Sequence, residues 1–288
     1  MERYRFMQEN KQDFSIEKMA EILEVSVSGY YAYLHRRPAL QSQRNLELLE
    51  SIRRIHIEGR RVYGSPRIHV KLCQSGNRCS RKRVARLMKE HGIAAKMRKS
   101  WKRTTQRGKR EASDNLLEQN FLAETPNEKW VSDVTYVHTG EGWLYVSCTL
   151  DLFSRKVVGL SMGERLSTDL VERTLKQALR HRGPARGLIH HSDRGSQYTS
   201  EAFGELAKNK GIRLSMSGKG NCYDNAVIES FFHTLKTEHV YQYRFSTREE
   251  AKRSLFDYIE VFYNRQRAHP VFACSLVPMV RVKARSSR

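Results

Sequence analysis

Three runs of strand length stand almost end to end between residues 131 and 162, and they constrain the fold more than any other stretch. Residues 131–138 and 143–152 are separated only by Thr139-Gly140-Glu141-Gly142, and Phe153-Ser154-Arg155 turns the second run into residues 156–162. Connections this short join antiparallel neighbours, so the three runs predict a meander. Beyond them the period lengthens. Residues 168–181 place Leu170, Val171, Leu175 and Leu179 at helical spacing. A short apolar run at 188–192, a helix around 200–209, a short strand at 213–217 and a helix containing Glu229 follow. Strands separated by helices can pair in parallel. The expectation is an α/β domain with a mixed five-stranded sheet and flanking helices.

Three acids fall at telling places on these elements. Asp133 lies in the first strand, Asp193 at the end of the fourth, and Glu229 on the last helix, with 35 residues between the second and third. Two strand-borne aspartates and a helix-borne glutamate can converge on a pair of divalent ions and support in-line displacement at phosphorus. A structural ion-pair role for the three is the alternative. Lys236 follows Glu229 by seven residues, which puts it on the face that Phe232 and His233 share, placed to hold a phosphate. Lys219, in Gly218-Lys219-Gly220-Asn221, lies in a flexible basic loop just before that helix. Asp151 reads as a turn residue and Asp224 as a helix cap. Of the adjacent His190 and His191, at least one reads as structural.

Charge supplies the partner. The net charge is +21, and residues 51–110 hold 20 of the 52 Lys and Arg but only two of the 31 acids. A local excess of this size points to a polyanion. Within it, residues 62–95 read as a helical pair. Ser65 is the expected cap of the first helix, with Pro66 at its first position and Ile68 and Leu72 inward. Ser80 caps the second, with Val84, Leu87 and Met88 as its apolar stripe and Gly92 as its stop. Arg81, Lys82, Arg83, Arg86 and Lys89 line the polar face, where they can contact a nucleic-acid backbone. The following linker carries Arg98, Lys99, Lys102 and Arg103 around Trp101, arranged to lie along the same backbone. Residues 15–35 suggest a further pair of helix-turn-helix size, near neutral in charge. The division expected is 1–50 helical, 51–95 basic helix-turn-helix-like, 96–124 linker, 125–240 catalytic core and 241–288 C-terminal helix and tail. His69, Cys73, Cys79 and His91 match no zinc-finger spacing. An odd count of five cysteines without a CxxC pair, and no apolar run of membrane-span length, predict reduced thiols and a cytoplasmic chain with no membrane association.

These residues resemble the integrase-core DDE transposases of bacterial insertion sequences, in the type where a second reading frame encodes this part. The resemblance rests on Trp130-x-x-Asp133-x-Thr135-Tyr136, on His191-Ser192-Asp193-Arg194-Gly195-Ser196-Gln197-Tyr198, and on Asn221-x-Tyr223-Asp224-Asn225-Ala226-x-x-Glu229-Ser230-Phe231-Phe232. It includes Tyr263-Asn264-Arg265-x-Arg267-x-His269, and so covers most of the chain. It implies a ribonuclease-H-like core related to retroviral integrase cores, with Asp133, Asp193 and Glu229 as catalytic metal ligands. The implied cofactor is two Mg2+ ions, with Mn2+ able to substitute. The implied reaction is hydrolysis at the element ends followed by strand transfer from the freed 3′-hydroxyl. The implied partners are the terminal inverted repeats, target DNA, further copies of the chain on DNA, and an upstream-frame DNA-binding protein; the implied place is the bacterial nucleoid. The tail at 270–279 departs from the apolar Leu-Ser-Pro stretch usual in the family. A nuclease that cuts without joining, or a DNA-binding regulator with an idle core, are the competing readings.

Overall fold

The computed structural model describes residues 2–35, 40–96, 114–117, 120–218 and 225–268. Three short helices come first: α1 (Glu2–Glu9), α2 (Ile16–Ile22) and α3 (Val27–Leu34). Ser15 and Ser26 cap the latter two by accepting from the backbone N–H groups of Lys18 and Gly29. The three helices bury Met7, Met19, Ala20 and Tyr30 against one another as a small core of their own. Sequence reasoning finds α2 and α3 but not α1, which fully buries Met7 alone and so carries little apolar period.

The basic segment folds around α4 (Leu40–Glu58), α5 (Ser65–Gln74) and α6 (Arg81–Glu90). Helix α4 runs across residue 50. It supplies Leu48, Ile52 and Ile55 to the core that Ile68, Leu72, Val84, Leu87 and Met88 share. Ser80 caps α6 as expected, accepting from the Arg83 N–H. At α5 the expected cap is displaced by one residue. Gly64 is the N-cap, and Ser65 already has helical geometry and makes no capping bond. Pro66 in that first turn lacks an N–H that would have no partner anyway.

The sheet follows the predicted order of elements. It comprises β1 (Lys129–Thr139), β2 (Gly142–Asp151), β3 (Val157–Gly163), β4 (Ile189–Ser192) and β5 (Arg213–Met216). Their spatial order is β3-β2-β1-β4-β5. The first three pair antiparallel, and β4 pairs parallel with both β1 and β5. Helices α7 (Thr168–Arg182) and α8 (Glu201–Asn209) connect the parallel strands, and α9 (Ala226–Glu238) and α10 (Arg248–Phe256) complete the set. Adjacent residues of β1 enter opposite cores. Trp130 packs with Leu175, Phe203 and Ala207, whereas Val131 packs with Ile228, Phe231 and Leu235. A sheet apolar on both faces must be covered on both, and the helices do this. Thr247 caps α10 by accepting from the Glu250 N–H, and the Glu250 carboxylate reaches back to accept from the Ser246 N–H. Beyond α10 the helix widens to π-type winding over Asp257–Gln266.

The basic module is fastened to the C-terminal helices through a buried charge. Glu238, at the end of α9, accepts from Arg267 at 2.7 and 3.0 Å, from Arg67 of α5 at 2.9 Å and from the Tyr258 hydroxyl at 2.8 Å. Burial alone would raise the Glu238 carboxyl, but the hydrogen bonds and charge of Arg267, with Arg67 and Tyr258, hold it below the usual range. Arg60 adds an ion pair to Asp257 at 2.8 Å and lies 4.8 Å over the Phe262 ring. The Tyr63 hydroxyl donates to the Gln266 carbonyl and accepts from the Ala268 N–H. Together these contacts set α6 at a fixed place relative to the sheet.

Candidate active site

Asp133 projects from the middle of β1, opposite Cys148 of β2. Its access to partners beyond the strand has a simple cause. β4 pairs with β1 only over Lys129, Trp130 and Val131, so the same edge of β1 is open to other groups from Ser132 onward. Asp193 is the first residue after β4. Its Oδ1 accepts from the Gly195 N–H at 3.0 Å, as Asp133 Oδ1 does from the Val134 N–H at 2.7 Å. A Cβ at Gly195 would stand 2.9 Å from Asp193 Oδ1 and 2.8 Å from Gln197 Oε1, so a larger residue there would push on both side chains.

Helix α9 brings the remaining two groups. Ile228, Phe231, Phe232 and Leu235 are buried and fix its roll, leaving Glu229 and His233 exposed and Lys236 partly so. Phe232 thus belongs to the core rather than to the open face expected for it. The Lys236 ammonium stands 5.1 Å over the Tyr136 ring.

Electrostatics tie the four groups together. Loss of hydration, then the Asp193 charge, push the Asp133 carboxyl up to about 7; Glu229 adds to the rise, while the Val134 N–H and Lys236 oppose it. Asp193 and Glu229 are also raised by loss of hydration, but both residues are exposed, so the effect counts for little beside that at Asp133. Burial lowers the Lys236 ammonium and Asp133 opposes this. Among the described residues no three His, Cys, Asp or Glu side chains stand close enough to hold one ion between them. Glu229 weighs less on the Asp133 carboxyl than Asp193 does.

Beneath the acids lies a neutral polar layer. His190 Nε2 meets Ser132 Oγ at 2.7 Å, and His191 meets Ser215 Oγ at 2.8 Å and Ser217 Oγ at 3.2 Å. Both histidines are buried and structural. Burial pushes His190 down to about 3 from 6.5, and His239, beside Ser254 and Tyr258, down to about 4. A depressed histidine contributes stability that is present above pH 6.5 and is lost as pH falls toward its folded value. A tenfold change in proton affinity corresponds to about 1.4 kcal/mol, so these two should destabilise the protein by roughly a few kcal/mol as pH falls from 6.5 toward 4. Thermal melts of His190→Asn and His239→Asn beside the parent check this. Each variant should give a flatter decline over that window, and parallel curves would refute it. Asp151 holds the turn after β2, accepting from the backbone of Asn127 and Ser154.

The basic face of α6 is divided. Arg83 turns back to Asn45 of α4 at 2.9 Å, and Arg86 pairs with Glu90 at 3.3 Å. Arg81, Lys82 and Lys89 face outward, exposed. Arg98, Lys99, Lys102, Arg103, Lys219 and Asp224 lie outside the described residues, as does the tail at 270–279. His69 gives its Nε2 to the Cys79 carbonyl at 2.9 Å. Sequence reasoning passes over two exposed aromatic residues of the β1–β2 hairpin, Tyr136 and Trp143. The signal for them is alternation, since Val137 points inward and Tyr136 and His138 outward in a strand that otherwise buries its aromatics.

Comparison with known proteins gives concordant matches. An integrase core domain model matches residues 123–222, a second integrase core domain model matches 229–280, and an HTH-like domain model matches 43–101. The chain is 42% identical over 252 residues to the uncharacterized 31 kDa protein of insertion element IS600 from Shigella sonnei, covering 87% of this chain and 93% of that one. It is 38% identical over 274 residues to the transposase InsF for insertion sequence IS3A of Escherichia coli K12, covering 93% and 94%. Among solved structures, the HTLV-2 integrase catalytic core domain in complex with magnesium aligns with a TM-score of 0.38 and 19% identity over 46% of this chain and 87% of that one. The BIV integrase catalytic core aligns with a TM-score of 0.37 and 18% identity, over 50% and 87%.

Proposed function

The chain belongs to the integrase-core transposases of insertion sequences, and we propose that Asp133, Asp193 and Glu229 are its catalytic acids. The observation that carries this reading is the state of Asp133. A carboxyl raised to about 7 by lost hydration and a neighbouring aspartate is an arrangement that a dication relieves. The donors are carboxylate oxygens without thiol or imidazole, which suits magnesium, with manganese as a substitute. Asp133 and Asp193 would hold the ions, and Glu229 would complete the set. When bound, the ions lower the pKa of the attacking water or 3′-hydroxyl and offset charge on the leaving oxygen.

The remaining residues bring DNA to this point. Lys236 stands beside Asp133 and is placed to hold a phosphate of the DNA end. Arg81, Lys82 and Lys89 face outward on a module fastened to the core through Glu238, so a duplex on α6 has a set distance to the acids. Arg98, Lys99, Lys102, Arg103 and Lys219 would extend the contact along the backbone. On this reading residues 51–95 bind DNA, 96–124 track it, and 125–240 cut and join. The substrates are the terminal inverted repeats and target DNA, and the working form is a homo-oligomer on DNA with an upstream-frame partner. Lys236 beside the acids favours joining over cutting alone, because it can retain the cleaved end.

Magnesium titrated into the protein at pH 8 should raise the melting temperature. Bound metal stabilises by about 2.7 kcal/mol at a hundredfold excess over its dissociation constant. Asp193→Asn should lose most of the rise. An equal rise in both proteins would place the metal elsewhere and defeat the assignment.

A further inference from the structure

The β1–β2 hairpin overhangs β4, and on the overhang it presents aromatic rings to solvent. Tyr136 and Trp143 are each 43% exposed, although residues of this size are normally sequestered. They are diagonal neighbours across the hairpin, since Tyr136 faces Tyr145 and His138 faces Trp143. Their rings meet edge to face at 5.0 Å, and His138 meets Trp143 at 5.2 Å. The contact holds both rings in place. Lys236 lies over the Tyr136 ring and, at its other side, close enough to Asp133 to influence it. Tyr136 is three residues along the strand from Asp133, about 10 Å between their backbones, and leaves the opposite face of the strand, so Lys236 is the group that links the two.

Resting on the reading that the acids act on DNA, we propose that Tyr136 and Trp143 form a stacking shelf for an unpaired base. That base belongs to a nucleotide neighbouring the phosphodiester at Asp133. The occupant follows from the chemistry of the rings and of Lys236. A flat ring accepts any base by its π-face, and an ammonium directly above the shelf suits the phosphate that accompanies that base. A protein partner would need a larger apolar surface than two rings offer. A paired base inside the duplex has both faces stacked and none for the shelf, and a terminal pair is held in the helix, so the site selects a frayed or cut end that can swing an unpaired base onto it. Tyr136 and Trp143 are therefore positioning residues: they hold the end open beside the acids and take no part in the bond exchange.

The test uses the full chain without divalent metal and a duplex ending in a short unpaired tail that carries the fluorescent base aminopurine. A blunt duplex of the same sequence serves as reference. Binding of the parent should quench the tail, and Tyr136→Phe, which keeps the ring, should match it. Tyr136→Ala and Trp143→Ala should leave the tail bright and bind the tailed duplex about tenfold more weakly, with affinity for the blunt duplex unchanged. Both side chains are half exposed, so these variants should melt like the parent. Equal quenching by all four proteins overturns the proposal. So does a change in sedimentation with no change in quenching, which would make the rings a contact between copies. Joining assays in magnesium on the same proteins separate the two readings. If the parent joins ends while quenching ignores the rings, the shelf fails and the acids stand. If quenching depends on the rings while Asp133→Asn joins normally, the acids fail and the shelf stands.

Discussion

Asp133→Asn is expected to lower joining of DNA ends by about a thousandfold and, in the same protein, to raise the melting temperature at pH 8 without divalent metal. The two effects share one cause. The Asp133 carboxyl is raised from 3.8 to about 7, so the fold favours its protonated form. Its favourable contribution is complete below pH 4 and is lost as pH rises through 7. At pH 8 the carboxylate is held against the Asp193 charge with little hydration, and the neutral amide removes that repulsion. At pH 4 the gain should vanish, because the parent is then protonated as well. Melting at the two pH values, with and without magnesium, reads all of this. A variant less stable at pH 8 and equally active would show a structural carboxylate. A group that costs stability and supplies chemistry is the usual trade at an active site.

Glu238→Ala should be the most damaging single change in stability, at about 3–5 kcal/mol. The cost arises less from the lost ion pair than from what remains. Arg267, 5% exposed at its side chain, would keep its charge with no carboxylate, and Arg67 and the Tyr258 hydroxyl would lose a partner too. Urea unfolding of the parent and the variant measures the difference. A loss below about 1 kcal/mol, the range of exposed pairs, would mean that the cluster does not fasten the module to the core. A conservative Glu238→Gln should recover part of the loss by accepting one hydrogen bond.

Much of this architecture is legible in the chain because its signals are local. Strand alternation and two short turns are enough for the meander, and Ser80 accepts the capping bond its position suggests. The acids are legible from residue type, spacing and element. What escapes is set by tertiary contact. Arg83 looks like an outward charge on its helix, yet Asn45, 38 residues away, draws it inward. Glu238 looks like one more acid at the end of a helix, and only the fold brings Arg67 to it across 171 residues. The cap of α5 slips by one residue because neighbouring candidates, Gly64 beside Ser65, compete on nearly equal terms. Asp133 in mid-strand is accessible only because β4 is short, a fact about pairing that no single run of residues contains.

The central claim, that three acids on this core cut and join DNA, is tested most directly with labelled duplex from the DNA flanking the gene. It would be incubated with magnesium or manganese and either the parent protein or Glu229→Gln. Glu229 is the apt choice because it is exposed at the start of α9, so glutamine should leave the fold and DNA binding intact. Joined products from the parent alone are the predicted result. Equal joining by Glu229→Gln would contradict the account, and nicks without joined products would replace the transposition chemistry with that of a nuclease.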